Sequence, residues 1–531
     1  MNATNGKVST EALERRILQG SLERGLNACH ECCDRWATGD RIALEWFGIG
    51  GERESITFAS LRDSAARFAN WLALQGIGPG DVVAGLLPRI PELLTVLLGT
   101  WRVGAVYQPL FTAFGPKAIV DRVTGSLGSK AKLIVTDPTN RSKLDGIADC
   151  PPVLVVDRTS SDTKGFATVM GAQSATFEPV MRRGADPFIL IFTSGTTGNA
   201  KGVAAPLAGL LQFAVFLEDG LDLCEADKYW CLADPGWALG MYATLTAPLL
   251  LGHSTVLYEG PFTVESTVRV IAEAGVTNLL AAPTVFRMMR AAGADAVAPI
   301  AGKLRCITSG GEPLNAEITR WGEQTLGRAI HEVYGQTEMG VNVCNHHGLN
   351  QVAVAGSVGL PSRGFSFAVL DENLNPVPAG EPGVLAVDRS RSPLFFFTGY
   401  WNTETPAFRG QWYLTGDTMR QDKDGYFYFI SRNDDVITSA SYRIGPADVE
   451  SAIIEHPAVA EVAVVGKPDR ERTEIVKAFI VLRPGIAAND SLILEIQEHV
   501  RARLSMHAYP REIEFLAACR TYAHRRLMLE S

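Results

Sequence analysis

The stretch FILIFTSGTTGNAKG, residues 188–202, decides how the rest of the chain is interpreted. Its five apolar residues at 188–192 predict a buried strand, which leads directly into a loop rich in Gly, Ser and Thr. Glycines let a backbone approach a phosphate closely, hydroxyls donate hydrogen bonds, and Lys201 adds a positive charge. The spacing does not match the Walker A pattern. We therefore predict a phosphate-binding loop, and the alternative is an ordinary surface loop of small polar residues.

Composition excludes several classes of protein. The chain has 531 residues, which is long for one core and predicts at least two domains. Its net charge is −9 and it has no dense Lys/Arg run, so neither nucleic acid nor an anionic membrane is expected as a partner. Nine cysteines are mostly scattered singly, as in reduced cytosolic proteins. The cluster of cysteines and a histidine at 29–33 lacks a second ligand pair, so no zinc site is expected.

The apolar segments are too short or too interrupted for a membrane or export signal. The N-terminus is polar, and the longest apolar stretch, residues 91–111, contains Glu92 and Arg102. We therefore expect no secretory signal, no stable membrane insertion and a cytoplasmic location.

The order of predicted elements indicates two domains. Strands alternate with helices from about residue 59, and short β segments punctuated by Gly and Pro follow between 353 and 430. A polar run, SRNDD at 431–435, precedes a compact segment of mixed helices and strands. We predict a large α/β N-terminal domain, residues 1–431, with parallel sheets, helices and a β-rich subdomain. A small α+β C-terminal domain, residues 432–531, is predicted to be hinged to it near Asp434.

Several separate motifs stand in an order typical of one enzyme superfamily. Besides the loop at 193–202, the motifs are GEP at 311–313, YGQTE at 334–338, YLTGD at 413–417, Arg432 with Asp434, and YRIG at 442–445. With these motifs, over about residues 30–516, the sequence resembles the adenylate-forming (AMP-binding) superfamily of acyl-CoA synthetases, luciferases and peptide-synthetase adenylation domains. LADPGW at 232–237 and SYRIGP at 441–446 are most similar to acetyl- and medium-chain acyl-CoA synthetases.

The resemblance implies a reaction in two steps. A carboxylate attacks the α-phosphate of ATP and gives an acyl-adenylate and pyrophosphate, and the CoA thiolate then displaces AMP to give an acyl-CoA. By this resemblance the chain uses ATP, Mg²⁺ and CoA, and its partners are these small molecules and a carboxylic acid. We expect a monomer or a homodimer.

Residues that match the motifs acquire roles by the same resemblance. The β- and γ-phosphates of ATP would be held by Thr193, Ser194, Gly195, Thr196, Thr197, Gly198 and Lys201. The adenine would be lined by Gly311, Glu312 and Pro313. Thr337 and Glu338 would lie at the α-phosphate, with Glu338 as the Mg²⁺ ligand. Asp417 and Arg432 would bind the ribose, the alternative being a surface ion pair. The remaining nucleotide and CoA residues would be Glu332, Tyr334, Gly335, Gln336, Ser441, Tyr442 and Arg443.

Two positions depart from the superfamily's pattern. Rotation about Asp434 would bring the 440–443 loop to CoA for the second step, and there Ser441 replaces the usual glycine. The tail reads CRTYAHRR at 519–526, where the superfamily has a lysine that contacts the carboxylate and α-phosphate. Arg525 takes the lysine position when the tail is matched on Thr521, and Arg526 takes it in the other match. Arginine is broader and planar, so it is not a conservative replacement. The pattern is lost directly after the well-matched PREIEF at 510–515, which indicates either an impaired first step or a local change of reading frame.

The acyl substrate is predicted from two residues. Acetate-specific relatives have a tryptophan at the position of Gly335, so its absence predicts a medium-chain, branched or aromatic acid. Trp237 is predicted to line the same pocket, and the alternative is core packing. An acyl-CoA synthetase is the first hypothesis. The alternatives are an adenylate-forming enzyme with a different acyl acceptor, favoured by Ser441, and a degenerate nucleotide-binding homologue, favoured by the tail.

Overall fold

The structure is a computed structural model that describes residues 9–158, 165–193, 200–432, 437–439, 442–469, 473–503 and 509–517. The strands of the large N-terminal part are β1 Ile42–Phe47, β2 Arg53–Thr57, β3 Val82–Leu86, β4 Val106–Pro109, β5 Leu133–Thr136, β6 Val153–Val155, β7 Pro187–Thr193, β8 Lys201–Pro206, β9 Tyr229–Cys231, β10 Thr255–Tyr258, β11 Asn278–Ala281, β12 Cys306–Gly310, β13 Ile330–Gln336, β14 Gly340–Cys344, β15 Leu360–Pro361, β16 Phe367–Leu370, β17 Pro382–Asp388, β18 Phe408–Arg409, β19 Trp412–Gln421 and β20 Phe427–Arg432. The small C-terminal part contains β21 Ile437–Ser439, β22 Tyr442–Ile444, β23 Val459–Asp469, β24 Thr473–Leu482 and β25 Glu512–Leu516.

The α-helices lie mainly between these strands. They are α1 Thr10–Ile17, α2 Ala28–Cys32, α3 Phe58–Leu74, α4 Pro91–Arg102, α5 Pro116–Val123, α6 Pro138–Arg141, α7 Phe166–Gly171, α8 Gly209–Val215, α9 Ala247–Leu250, α10 Val264–Ala274, α11 Pro283–Ala292, α12 Ala294–Val297, α13 Ala316–Trp321, α14 Pro446–Ile454 and α15 Asp490–Arg503. Local sequence sets their ends. In α10, Thr263 and Ser266 form a capping box at the start, and Gly275 ends the helix with a φ of +68°.

A nine-stranded sheet forms one half of the large domain. Its order is β15-β14-β13-β12-β11-β9-β10-β1-β2. The strands from β13 to β1 run parallel, and antiparallel pairs occur at both edges. β11 and β12 are buried along their whole lengths. This burial is typical of strands in a parallel sheet that is covered on both faces. The carboxyl ends of β12 and β13 therefore meet at one edge, where ligands of such sheets bind.

A second, six-stranded sheet carries the glycine-rich segment. Its order is β6-β5-β3-β4-β7-β8, parallel except for the antiparallel pair β7–β8. Thr193 pairs with Lys201 in this hairpin, so the predicted phosphate loop connects two strands that are held in register. The prediction of strands that alternate with helices in mainly parallel sheets is confirmed.

The predicted β-rich subdomain is a five-stranded antiparallel sheet in which β17 and β19 are central and β20 pairs with β19. Asp417 pairs with Arg432 across β19 and β20, so the two predicted ribose residues are neighbours in the sheet.

The small C-terminal part has a core of its own. Five strands, ordered β22-β21-β24-β23 with β25 beside β24, pack against α14 and α15. It meets the large domain through α14, where Ser451 donates a 3.2 Å hydrogen bond to the side-chain oxygen of Asn315. A cavity of about 210 Å³ lies beside this contact, between Leu314 and Ile454. The boundary at 431–432 stays a prediction, and Asp434 lies outside the described residues.

Candidate active site

Nine of the predicted nucleotide residues line one cavity of about 210 Å³. Three elements contribute: the loop after β12, the carboxyl half of β13, and the paired strands β19 and β20. The cavity is lined by Gly311, Glu312, Pro313, Glu332, Val333, Tyr334, Gly335, Gln336, Val358, Asp417, Phe429 and Arg432. Gly311 has a φ of +94°, which favours glycine where the chain turns out of β12. Residues far apart in the sequence are thus brought to one place.

Asp417 is held by a network of side chains on the floor of this cavity. The carboxylate is 5% exposed, and its Oδ2 accepts hydrogen bonds from the Tyr334 hydroxyl at 2.5 Å and from Gln336 Nε2 at 2.7 Å. Gln336 is fixed in turn, because the Tyr413 hydroxyl donates to its Oε1 at 3.1 Å. The Nε of Arg432 lies 4.0 Å from the other oxygen, Oδ1. The arrangement presents a preorganised acceptor beside a cation, which suits a diol such as ribose.

Glu332 is a buried carboxyl at the back of the same cavity. It is 6% exposed, and its Oε1 accepts a 2.8 Å hydrogen bond from the backbone N–H of Leu314. Burial raises the pKa of Glu332 to about 8, although that hydrogen bond acts in the opposite direction. The group is therefore mostly protonated at neutral pH.

The carboxylate of Glu312 is bound by helix α11. Its Oε2 accepts hydrogen bonds from Thr284 Oγ1 at 2.8 Å and from Arg287 at 2.5 Å. Arg287 also donates to Thr284 Oγ1 at 2.8 Å, which closes a three-membered network. Glu312 thus anchors the loop after β12 to the neighbouring helix, while the loop lines the cavity.

Lys201 and Glu338 approach each other at the end of the phosphate hairpin. The Nζ atom of Lys201 lies 5.2 Å from the ring centroid of Tyr400, and the Tyr400 hydroxyl donates a 2.8 Å hydrogen bond to Glu338 Oε1. Glu338 is 8% exposed, and burial raises its pKa, opposed by Tyr400 and by the charges of Arg432 and Lys201. A single side chain therefore connects the two predicted catalytic charges.

Thr337 lies against an apolar wall. Its carbonyl accepts a 3.1 Å hydrogen bond from the Tyr242 hydroxyl, and the Tyr242 ring stacks on Phe213 at 4.3 Å. Phe396 packs edge-on against both rings. Tyr242 belongs to the π-helical segment Gly240–Thr246, an irregularity that often occurs at functional sites. All three rings are buried, so they belong to the core of the large domain and support Thr337 from behind.

The structure bears differently on the two predicted substrate residues, Gly335 and Trp237. A Cβ atom at Gly335 would lie 2.2 Å from the carbonyl oxygen of Gly340, so the β13–β14 hairpin excludes any side chain there. The argument that an absent tryptophan leaves room is therefore not supported, since backbone fills that space. Trp237 is 39% exposed and packs against Phe111 and Phe114 at 5.2 and 5.7 Å, which contradicts the alternative of core packing.

Comparisons with known proteins agree with this geometry. A family model described as AMP-binding enzyme matches residues 33–401, and its C-terminal domain model matches residues 448–521. The chain belongs to the AMP-binding enzyme family. An acetyl-coenzyme A synthetase of Bacillus subtilis (strain 168) is 37% identical over 92% of this chain and 87% of that protein. Acyl-coenzyme A synthetase ACSM1, mitochondrial, of Mus musculus is 34% identical over 92% and 88%.

A solved structure has the same fold over nearly the whole chain. An acyl-CoA synthetase of Brucella canis is 49% identical, has a TM-score of 0.80, and is matched over 98% of this chain and 96% of its own. The predicted enzyme class, an AMP-forming acyl-CoA synthetase, is thereby confirmed, and enzymes of this family use ATP and CoA as substrates. Within the described ranges, no helix is long and apolar enough to cross a membrane.

Several predicted residues of this AMP-binding enzyme lie outside the described residues. They are Ser194, Gly195, Thr196, Thr197, Gly198, Ser441 and Arg525. Tyr442 and Arg443 begin the short strand β22, so only their backbone is described. The cysteines at 29, 32 and 33 are buried, and among the described residues no group of three or more His, Cys, Asp or Glu side chains could hold a metal ion.

Two residues at the site were missed by sequence reasoning. Tyr400 occurs in the run FFFTGYW at 395–401, which gives no chemical signal beyond aromatic content. Arg287 is one of two arginines on an amphipathic helix. Both act on residues more than twenty positions away, so no local pattern could have revealed them.

Proposed function

We propose that this acyl-CoA synthetase activates a carboxylic acid larger than acetate, of the medium-chain, branched or aromatic class. The observation that carries the proposal is Trp237, which is 39% exposed and packs against Phe111 and Phe114, because its indole offers aromatic surface to an acyl chain or ring.

In the proposed first step, ATP lies in the cavity between β13 and β20. The hydroxyls of the ribose would bind Asp417 and Arg432, and the base would lie along Gly311 and Pro313. Lys201 would neutralise charge on the departing pyrophosphate, since an ammonium at that point stabilises negative charge that develops in the transition state. Thr337, at the start of the β13–β14 turn, would lie between phosphate and acid.

Mg²⁺ fits the donor chemistry of this site. The ion prefers oxygen ligands and is commonly bound by one or two carboxylates together with substrate phosphates. Glu338 offers such a carboxylate, with Oε1 engaged by Tyr400 and Lys201 nearby. The ion would neutralise phosphate charge during adenylation. We propose Glu338 as its protein ligand.

The test is pyrophosphate release with a panel of acids, measured with and without CoA. We expect hexanoate or benzoate to be turned over with a higher kcat/KM than acetate, and we expect acyl-CoA to form only when CoA is present. Faster turnover of acetate would contradict the proposed acyl class. Pyrophosphate release without CoA consumption would indicate another acyl acceptor, and ATP binding without pyrophosphate release would indicate a degenerate homologue.

A further inference from the structure

Tyr400 lies on a loop that reaches from the β-rich sheet to the phosphate hairpin. The loop connects β17 to β18, and its backbone is bridged to β8 by the antiparallel pair Val203–Tyr400. The N–H of Trp401 donates to the carbonyl of Gly202 at 2.7 Å. A Cβ atom at Gly202 would lie 2.7 Å from the Cβ of Trp401, so this close approach requires a glycine next to Lys201.

The side chain of Tyr400 contacts both predicted catalytic charges. Its hydroxyl donates to Glu338 Oε1 at 2.8 Å, and its ring faces the Lys201 ammonium at 5.2 Å. A cation within about 6 Å of a ring centroid is attracted by the ring quadrupole. A hydrogen bond from a neutral hydroxyl to a carboxylate is short and strong, and it restricts the rotation of the carboxylate. Both contacts therefore limit where these two charged groups can lie.

We propose that Tyr400 is a positioning residue. It holds the side chains of Glu338 and Lys201 at the positions from which they bind a metal–triphosphate complex. The hydroxyl fixes one oxygen of Glu338, so that the other is presented to the cation. The ring holds the ammonium beside the same phosphates. The inference rests on the proposed use of MgATP at this site. It adds Tyr400 to the site, as a residue that contacts both the β7–β8 hairpin and the β13–β14 turn.

A role for Tyr400 in core packing alone predicts a different result for its variants. Tyr400 also packs against Phe397 at 5.0 Å, so the ring alone could serve the core. Tyr400→Phe keeps the ring and removes only the hydroxyl, whereas Tyr400→Leu removes both contacts. The two variants therefore separate the effect on Glu338 from the effect on Lys201.

The experiment uses Mn²⁺ as a spectroscopic probe for the metal. Binding of Mn²⁺ to the full-length protein with ATP is measured by electron paramagnetic resonance, and ATP binding without metal is measured by calorimetry. We expect Tyr400→Phe to weaken Mn²⁺ binding about 10-fold, on the order of one lost hydrogen bond to a charged group, and to leave metal-free ATP binding unchanged. Tyr400→Leu should weaken metal-free ATP binding as well.

Two controls distinguish a general structural effect of losing a hydroxyl from the proposed positioning of Glu338. Tyr426→Phe removes a hydroxyl that donates to the carbonyl of Val352 at the surface, and it should change neither binding constant. In a Glu338→Gln background, Tyr400→Phe should cause little further loss of Mn²⁺ binding, because the two residues act as one unit. Equal losses in both backgrounds, or native Mn²⁺ binding by Tyr400→Phe, would overturn the proposal. Native protein that binds Mn²⁺ and ATP but activates no acid would instead refute the proposed function.

Discussion

Replacing Glu332 with glutamine should stabilise the protein, and increasingly so as the pH rises. The pKa of this buried carboxyl is raised from 4.5 to about 8 in the folded protein. Between these values the folded state binds more protons than the unfolded state, so the free energy of unfolding falls as the pH rises. Glutamine resembles the protonated form and keeps an oxygen for the N–H of Leu314.

The size of the effect follows from the same values. One pKa unit corresponds to about 1.4 kcal/mol. Because pH 7 lies 2.5 units above the unfolded-state pKa of 4.5, ionisation of Glu332 in the unfolded state lowers the free energy of unfolding by roughly 3 kcal/mol at pH 7. At pH 5.5 the destabilisation is about 1.4 kcal/mol. The stability advantage of Glu332→Gln should therefore grow by about 2 kcal/mol between pH 5.5 and pH 7.

Scanning calorimetry at the two pH values measures this difference. For a domain of this size, an unfolding entropy near 2.1 cal/mol/K per residue gives roughly 1 °C per kcal/mol, so the difference in Tm should widen by about 2 °C. Glu381→Gln, on an exposed turn, serves as the matched control and should show no such widening. A Tm difference for Glu332→Gln that stays constant or narrows with rising pH would refute the reasoning.

Three further substitutions test the site. Gly335→Ala should reduce the rate of adenylation at least 10-fold and lower Tm, because overpacking against the hairpin backbone costs roughly 1–3 kcal/mol. As the control, Gly171→Ala adds a methyl group in open space and should change neither the rate nor Tm. Tyr334→Phe should raise KM for ATP several-fold with a smaller change in kcat, because Asp417 loses a charge-assisted hydrogen bond; an unchanged KM would contradict the ribose assignment. Arg525→Lys should raise the rate of pyrophosphate release by up to about 10²–10³ if the tail arginine limits adenylation, and no gain in a pre-steady-state assay would reject that alignment.

Local chemistry explains which parts could be predicted from the sequence. Lys201, Asp417 and the buried strand before the glycine-rich loop follow from short motifs and apolar runs, and the structure places them as neighbours of the nucleotide cavity or its hairpin. The roles of Tyr400 and Arg287 depend instead on contacts between elements distant in the chain. Gly335 shows the same limit: an absent side chain predicted an open pocket, but only the pairing of β13 with β14 reveals that backbone occupies the space.

The sparse junction between α14 and the large domain has a consequence for turnover. Among the described residues, an open cavity of about 210 Å³ lies beside the hydrogen bond from Ser451 to Asn315, and the atoms that line an unfilled cavity lack the close packing that stabilises an interface. If the small domain changes orientation between the two half-reactions, as the sequence predicts, this contact would have to break in every cycle. Ligands bound in the cavity would then contribute to how long each orientation persists.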